Sequence, residues 1–538
     1  MTPRDTIRAA IQRSLKSLGA GDVSFSVEKT EKPEHGDYAT NASLLATKWL
    51  KKNPMEIAEL VKENLGKDKE LGDYIERIET AKPGFVNFFL SQKFLQRSVG
   101  EILKAKEKFG RGKLKEYVNI EFISANPTGP LTLANGRGGF YGDALYNVLQ
   151  FAGAKAEKEY YINDAGNQMR TLGESILAAA GLAEKQEQHY QGGYIASYAK
   201  ETYERLLETY IADPEELGKE VAHRILDREI KPPIKRAGIS FDKWISEDGD
   251  IRGKGLVEKA LKMLEKKGLT YEKEGAIWLK TSAFGDTEDR VLVKSIQKNY
   301  TYLASDIAYH LEKWKRGFTK LITIWGADHH GAVARLNAAM QMFGKPDVHI
   351  ILMQLVRLME DGKETRMSKR TGNFVTLSEL FDDVGVDVAR FFFLMREPNS
   401  HLDFDLAVAK EHSQKNPVYY VQYAHARLSN ILKRAQERGD RKAKQDLKLL
   451  QKPEEFSLIK ILLQFPELVE DIAQTYAVHR LPQYTMQLAA VFHRFYDTTR
   501  VIDVDRNVSM ARLMLVQATK FVLTSTLKIM GISAPSHM

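Results

Sequence analysis

Residues 117 to 139 read YVNIEFISANPTGPLTLANGRGG. The apolar run Tyr117 to Ile123 is long enough for a buried strand and too short for a helix. A Pro/Gly turn follows, then a helical pattern that opens on Gly136, Gly138, Gly139 and Gly142. A strand feeding such a turn and helix leaves unpaired backbone N–H groups and a positive dipole end where phosphates can sit. Glycines at the helix start let backbone, strand and ligand approach closely. The segment therefore predicts a nucleotide site. Its spacing fails the G-x-G-x-x-G pattern, and no G-x-x-x-x-G-K-[ST] loop occurs in the chain, which weakens hydride-transfer and Walker-type ATPase readings.

Outward from this segment, strand-like runs alternate with helical patterns up to about Pro398: EKEYYIN, KLITIWGADHH and DVHIILMQLVRL. Such alternation predicts an α/β domain with a doubly wound, Rossmann-like parallel sheet. Residues from about 172 to 290 are rich in Glu and Lys helical patterns and are expected to form a helical insertion between two sheet halves. The first hundred residues mix helical periodicity with a strand-like ending, KPGFVNFFL, ahead of the basic connector KAKEKFGRGKLKEY. After Asp405 strand signals fade. Tyr420, Ala424, Leu428 and Ile431 share a helical stripe, which predicts an all-helical bundle. The expected division is 1–110, 111–405 and 406–538.

A chain of 538 residues with 43% hydrophobic content is too long for one core. Its lack of cysteine excludes disulfides, Cys-ligated zinc and thiol nucleophiles, and makes the cytoplasm the default compartment. The N-terminus lacks a signal-peptide core, and no stretch is expected to span a bilayer. The net charge of +8 favours a polyanionic partner, weakly on its own.

The ordered set HGDYATNASLLA (35–46), SANPTGPLTLANGRGG (124–139), EYYINDAGNQ (159–168), GADHHG (326–331), RMSKRTGNF (366–374), NPVYYVQYAHARLSNI (416–431) and GISAPSHM (531–538) resembles the arginyl-tRNA synthetases, class I aminoacyl-tRNA synthetases, over essentially the whole chain. The resemblance implies an arginine–tRNA ligase. Its substrates are ATP, L-arginine and tRNA(Arg), and its products arginyl-tRNA, AMP and pyrophosphate. It also implies a class I catalytic domain, an α+β N-terminal domain that contacts the tRNA elbow, and a C-terminal anticodon-binding domain. Mg2+ is expected to arrive on the triphosphate without a dedicated protein cage. A monomer is expected, with no membrane or DNA partner.

The resemblance also carries residue roles. Thr132, Ala134 and Asn135 stand where the HIGH signature has two histidines and a glycine, so hydroxyl and amide replace imidazole at the ATP phosphates; helix capping is the alternative role for Thr132 and Asn135. Lys369 holds the place of the second lysine of KMSKS and would stabilise charge on the departing pyrophosphate, with Arg366 and Arg370 keeping the loop cationic. Thr132, Asn135 and Lys369 are thus the expected catalytic residues. Pro130, Gly136, Asp328, His329, Met367 and Ser368 join them in the ATP set. Asp328 or an adjacent histidine would meet the ribose, and metal binding at Asp328, His329 and His330 is disfavoured. Glu121, Ser124, Asn126, Tyr302 and Asp306 match the arginine pocket, where carboxylates suit a guanidinium. Asn163, Asp164 and Gln168 match a family signature that local turn chemistry would also explain. Tyr419, Tyr420, Tyr423 and Arg427, with Arg434, are candidates to stack on tRNA bases, although a Tyr-rich helix is more often core. The rival readings are a non-catalytic RNA-binding or regulatory descendant, suggested by the altered HIGH positions, and a class I synthetase for another amino acid or another adenylate-forming nucleotidyltransferase on the same sheet topology.

Overall fold

The structure, a computed structural model, describes residues 2–205, 213–294, 299–360, 363–365, 375–438 and 445–538. The loop RMSKRTGNF, with Arg366, Met367, Ser368, Lys369 and Arg370, lies outside the described residues.

The N-terminal unit is α+β. The helix Pro3–Ser17, closed by a reciprocal Thr2–Asp5 capping box, packs with a four-stranded antiparallel sheet of β1 (Val27–Lys29), β2 (Tyr38–Thr40), β3 (Ile75–Ala81) and β4 (Phe85–Leu90), in the order β1-β2-β4-β3.

The central unit is built on five parallel strands: β5 (Tyr117–Glu121), β6 (Lys155–Ile162), β7 (Lys243–Ser246), β11 (Lys320–Gly326) and β12 (His349–Met353), in the order β12-β11-β5-β6-β7. The central strand β5 is almost continuously buried, as a strand covered on both faces must be. Two of its buried residues, Asn119 and Glu121, are polar, a departure that points to function rather than to packing. Chain order reverses between β5 and β11. Ligands of open α/β sheets bind beyond the carboxyl ends of the strands at such a switch point.

Two sequence expectations change. The 172–290 stretch is not wholly helical: it supplies β7 to the central sheet and holds a separate antiparallel sheet of β8 (Thr270–Lys273), β9 (Ala276–Leu279) and β10 (Arg290–Val293). Its short strands carry little alternation and so left no period-2 signal. The expectation that no segment has the length and apolarity to cross a bilayer also fails for Arg506–Met530. That 25-residue helix is largely buried at the heart of the C-terminal bundle, where apolarity on most sides is the requirement of a core helix.

A small sheet of β13 (Val356–Glu360), β14 (Lys363–Thr365) and β15 (Leu402–Asp405) leads to the bundle, formed by helices Pro417–Glu437, Pro453–Thr475, Arg480–Thr498 and Arg506–Met530. Ala424, Leu428 and Ile431 are buried along the predicted stripe, with Tyr420 partly so. The N-terminal unit rests on this bundle through Arg4 to Asp471 (2.6 Å), Lys460 to Asp37 (2.7 Å) and the Tyr38 hydroxyl donating to Glu467 (3.0 Å).

Candidate active site

The strand β5 ends at Glu121 and the chain turns sharply. Ile123 and Ser124 take left-handed backbone angles, φ 65° and 38°, which a β-branched residue rarely adopts. Such strain persists where surrounding contacts over-determine it. Here the Ser124 hydroxyl accepts from the Tyr161 N–H (3.1 Å) and donates to Glu121 Oε1 (3.2 Å), while the Tyr160 hydroxyl donates to the Ala125 carbonyl (2.9 Å).

The helix Leu133–Phe151 then begins at Thr132. The carboxamide oxygen of Asn135 accepts from both the Thr132 N–H and its hydroxyl, each at 3.0 Å. Thr132 and Asn135 therefore cap the helix, the alternative role given to them above. The glycines serve mainly protein contacts: a Cβ on Gly142 would lie 2.3 Å from Phe122, one on Gly139 2.9 Å from Ile123, and one on Gly136 2.6 Å from Leu377. Gly138 has no such neighbour, its nearest atom being 3.7 Å away. Fully buried Arg137 donates to the carbonyls of Gln354, Glu397 and Ser400 at 2.7–2.8 Å, locking this helix to the segments around β13 and β15.

Beyond β5 and β11, at the switch point, lies a cavity of about 340 Å³. All five arginine candidates, Glu121, Ser124, Asn126, Tyr302 and Asp306, line it, together with His329, Asn163 and Gln168. Tyr302 and Asp306 come from one face of the helix Tyr302–Lys315, a turn apart. Pro130, Thr132, Asn135, Gly136 and Asp328 do not line this cavity; the Asp328 side chain is 82% exposed, 3.7 Å from His329. No group of three His, Asp or Glu side chains among the described residues is placed to hold a metal.

Sequence reasoning missed Glu247. It belongs to a wide helical turn, Glu247–Arg252, that follows β7, and it is buried in the cavity wall. The stretch SEDGD reads as a solvated loop, and only the proximity of Asp164, which accepts from Ser246 Oγ (2.7 Å) and the Asp248 N–H (2.9 Å), turns it inward.

The three cavity acids differ in what already neutralises them. Glu121 accepts from Lys313 Nζ at 2.6 Å on Oε2 and from Ser124 on Oε1. Glu247 Oε1 receives Arg252 Nη2 and Nε (2.6 and 2.9 Å) and the Ser305 hydroxyl (2.9 Å). The Asp306 carboxylate has no hydrogen bond or ion pair among the described residues. Burial first, then the charges of Glu247 and Glu121, push it up to about 8, against the pull of Lys313 and Arg335. Nearby, the carbonyl oxygens of Asn163 and Gln168 are buried without a donor. His310, which holds the Asp306 carbonyl through Nδ1, is driven down to about 3 by burial and so stays neutral. The cavity is thus an anionic slot with unsatisfied acceptors, suited to a planar cation with several N–H groups.

In the bundle, Tyr419 and Tyr423 stack at 6.4 Å, and the Arg427 guanidinium lies 4.9 Å from the Tyr423 ring and 4.5 Å from that of Tyr496. Tyr420 packs on His493 at 5.0 Å. Of the five RNA candidates on Pro417–Glu437, Tyr419, Tyr420, Tyr423 and Arg427 are partly exposed and Arg434 is exposed, as are Lys433 and Lys448.

Three family descriptions match the chain: "Arginyl tRNA synthetase N terminal domain" over residues 5–90, "tRNA synthetases class I (R), catalytic domain" over 98–430, and "DALR anticodon binding domain" over 421–538. The chain is 43% identical to the arginine–tRNA ligase of Carboxydothermus hydrogenoformans, an alignment covering 99% of this chain and 97% of that one. It is 43% identical to that of Citrifermentans bemidjiense, covering 99% and 100%. The Thermus thermophilus arginyl-tRNA synthetase structure superposes with a TM-score of 0.80 at 25% identity, covering 99% and 100%. The catalytic match alone spans more than half of the chain, and the protein belongs to the arginyl-tRNA synthetases, class I.

Proposed function

We propose that the switch-point cavity is the arginine site of this arginine–tRNA ligase, with Asp306 the carboxylate that meets the guanidinium. The observation that carries the reading is the inequality among the cavity acids: Glu121 and Glu247 already hold cations, and Asp306 does not. Tyr302 covers the slot, and Ser124, Asn126 and the free carbonyls of Asn163 and Gln168 supply acceptors.

We assign ATP to the start of Leu133–Phe151, where Pro130, Thr132, Asn135 and Gly136 stand at the positive end of the helix dipole, with Asp328 and His329 at the ribose. Met367, Ser368 and Lys369 are assigned to the triphosphate by family position, and Mg2+ would be held by the triphosphate oxygens and water. The arginine carboxylate attacks the α-phosphorus, the bond to the β-phosphate oxygen breaks, and pyrophosphate leaves with its charge on Lys369. A ribose hydroxyl of the terminal tRNA adenosine then attacks the arginyl carbonyl and AMP departs. Positioning and electrostatics suffice, with no covalent enzyme nucleophile.

The working division is 1–110 at the tRNA elbow, 111–405 for catalysis and 406–538 at the anticodon, where Tyr419, Tyr420, Tyr423 and Arg427 offer bases a stacking surface. We place the enzyme in the cytoplasm as a monomer. Asp306→Asn tests the site: the arginine KM should rise at least a hundredfold, equivalent to about 3 kcal/mol, with tRNA affinity retained. An unchanged arginine KM would remove Asp306 from the pocket's function.

A further inference from the structure

Parallel pairing sets Glu121 of β5 directly beside Glu159 of β6. Both side chains are buried, at 4% and 1% exposure, and like charges at adjacent ladder positions repel. Glu159 is satisfied independently: Arg316 donates to both oxygens (2.6 and 2.9 Å) and the Tyr309 hydroxyl to Oε1 (2.7 Å). Glu121 has one cation among the described residues, Lys313, whose ammonium is fully buried, 2.6 Å from Glu121, 4.0 Å from Glu159 and 4.0 Å from the Tyr309 ring centre. Lys313 is absent from the cavity lining. It stands on the same helix as Tyr302 and Asp306, two turns beyond the latter.

Resting on the arginine-site reading above, we propose that Lys313 is a positioning residue for substrate selection: it neutralises and orients Glu121 from behind, so that the slot presents one uncompensated carboxylate to a ligand with one charge. With Lys313 in place, Glu121 turns Oε2 inward and keeps Oε1 on Ser124, the residue that pins the strained turn at the end of β5. Without it, Glu121 faces Asp306 and Glu247 as an unpaired third acid, and the cavity retains an extra proton that arginine must displace. The groups that face this cluster are Glu159 and Tyr161 from β6, Glu247 and Arg252 from the turn after β7, Tyr309, His310 and Arg316 from the pocket helix, and Arg335 from the helix after β11. His310 is neutral throughout the working range, and Asp306 is the cavity carboxyl whose ionisation the charge of Lys313 favours.

The test is the arginine KM and kcat for tRNA charging from pH 6.5 to 9 in the wild-type enzyme, Lys313→Met, Lys313→Arg and the double variant Glu121→Gln/Lys313→Met, with thermal melts for each. Lys313→Met should raise KM at pH 7 at least tenfold, shift the fall of KM with pH to the alkaline side, and change kcat less than threefold. Lys313→Arg should restore the wild-type profile. The double variant, which removes both charges together, should melt like the wild type and regain its pH midpoint while KM stays raised. An unshifted pH profile in Lys313→Met, or loss of kcat alone, overturns the proposal. So does a low melting point in Lys313→Met accompanied by a displaced midpoint in the stable double variant. Failure of the arginine-site reading itself would show separately, as an arginine KM left unchanged in Asp306→Asn.

Discussion

With the Asp306 carboxyl pushed up to about 8, the proposed arginine site makes arginine binding a proton-releasing event. The guanidinium binds the ionised carboxylate, so occupancy lowers the carboxyl's pKa, and affinity is full above its free value and lost as pH falls through it. For a ligand that requires the ionised form, the apparent dissociation constant is weakened by 1 + 10^(pKa − pH), roughly elevenfold at pH 7 and about 1.1-fold at pH 9. The arginine KM should therefore fall about tenfold between those values, while the KM for tRNA changes little over the same range. The assay is charging of tRNA at saturating ATP, with arginine varied at each pH. Asp306→Asn is the control for titration of the substrate's own amino group: its KM should be high throughout and lack the tenfold component. A wild-type KM that is flat in pH, or the same slope in the asparagine variant, would refute the assignment of Asp306 as the unpaired partner.

Other perturbations separate packing from chemistry. Gly142→Ala drives a methyl into the Phe122 ring and should cost about 1–3 kcal/mol in chemical denaturation, whereas Gly138→Ala, with only ordinary van der Waals contact and better helix propensity, should be neutral or slightly stabilising. Gly531→Ala combines φ 71° with a Cβ 2.0 Å from Arg390 Nη1, the group that pairs with buried Asp143, and should lower stability by about 3 kcal/mol with a lower melting temperature. Arg427→Ala removes the cation between Tyr423 and Tyr496, and should raise the tRNA KM roughly tenfold with the arginine KM unchanged. Lys369→Ala should abolish charging while leaving tRNA affinity nearly intact, measured by filter binding beside turnover.

What the sequence disclosed was local. The run Tyr117 to Ile123 and its Pro/Gly turn announce a buried strand and a helix start, because chain periodicity and turn chemistry are written in consecutive residues. The five arginine candidates meet in one cavity, although 185 positions separate Glu121 from Asp306. They were named from family motifs, since no periodic pattern reports which strand ends adjoin. Glu247 escaped for that reason: SEDGD has the composition of a solvated loop, and its burial follows from β7 pairing with β6. Lys313 looked like one more lysine in EKWKRG, and its partner is a strand residue 192 positions away. The glycines read as room for a ligand prove to be room for Phe122, Ile123 and Leu377, because a backbone position that needs no Cβ does not say which neighbour excludes it.

The measurement closest to the central claim is charging of total tRNA by the purified protein with ATP and magnesium, run with each amino acid in turn for the wild type and Asp306→Asn. The account predicts charging with arginine alone, and its loss at ordinary arginine concentrations in the variant. Charging with a different amino acid, or tight tRNA binding with no charging by any, would contradict it.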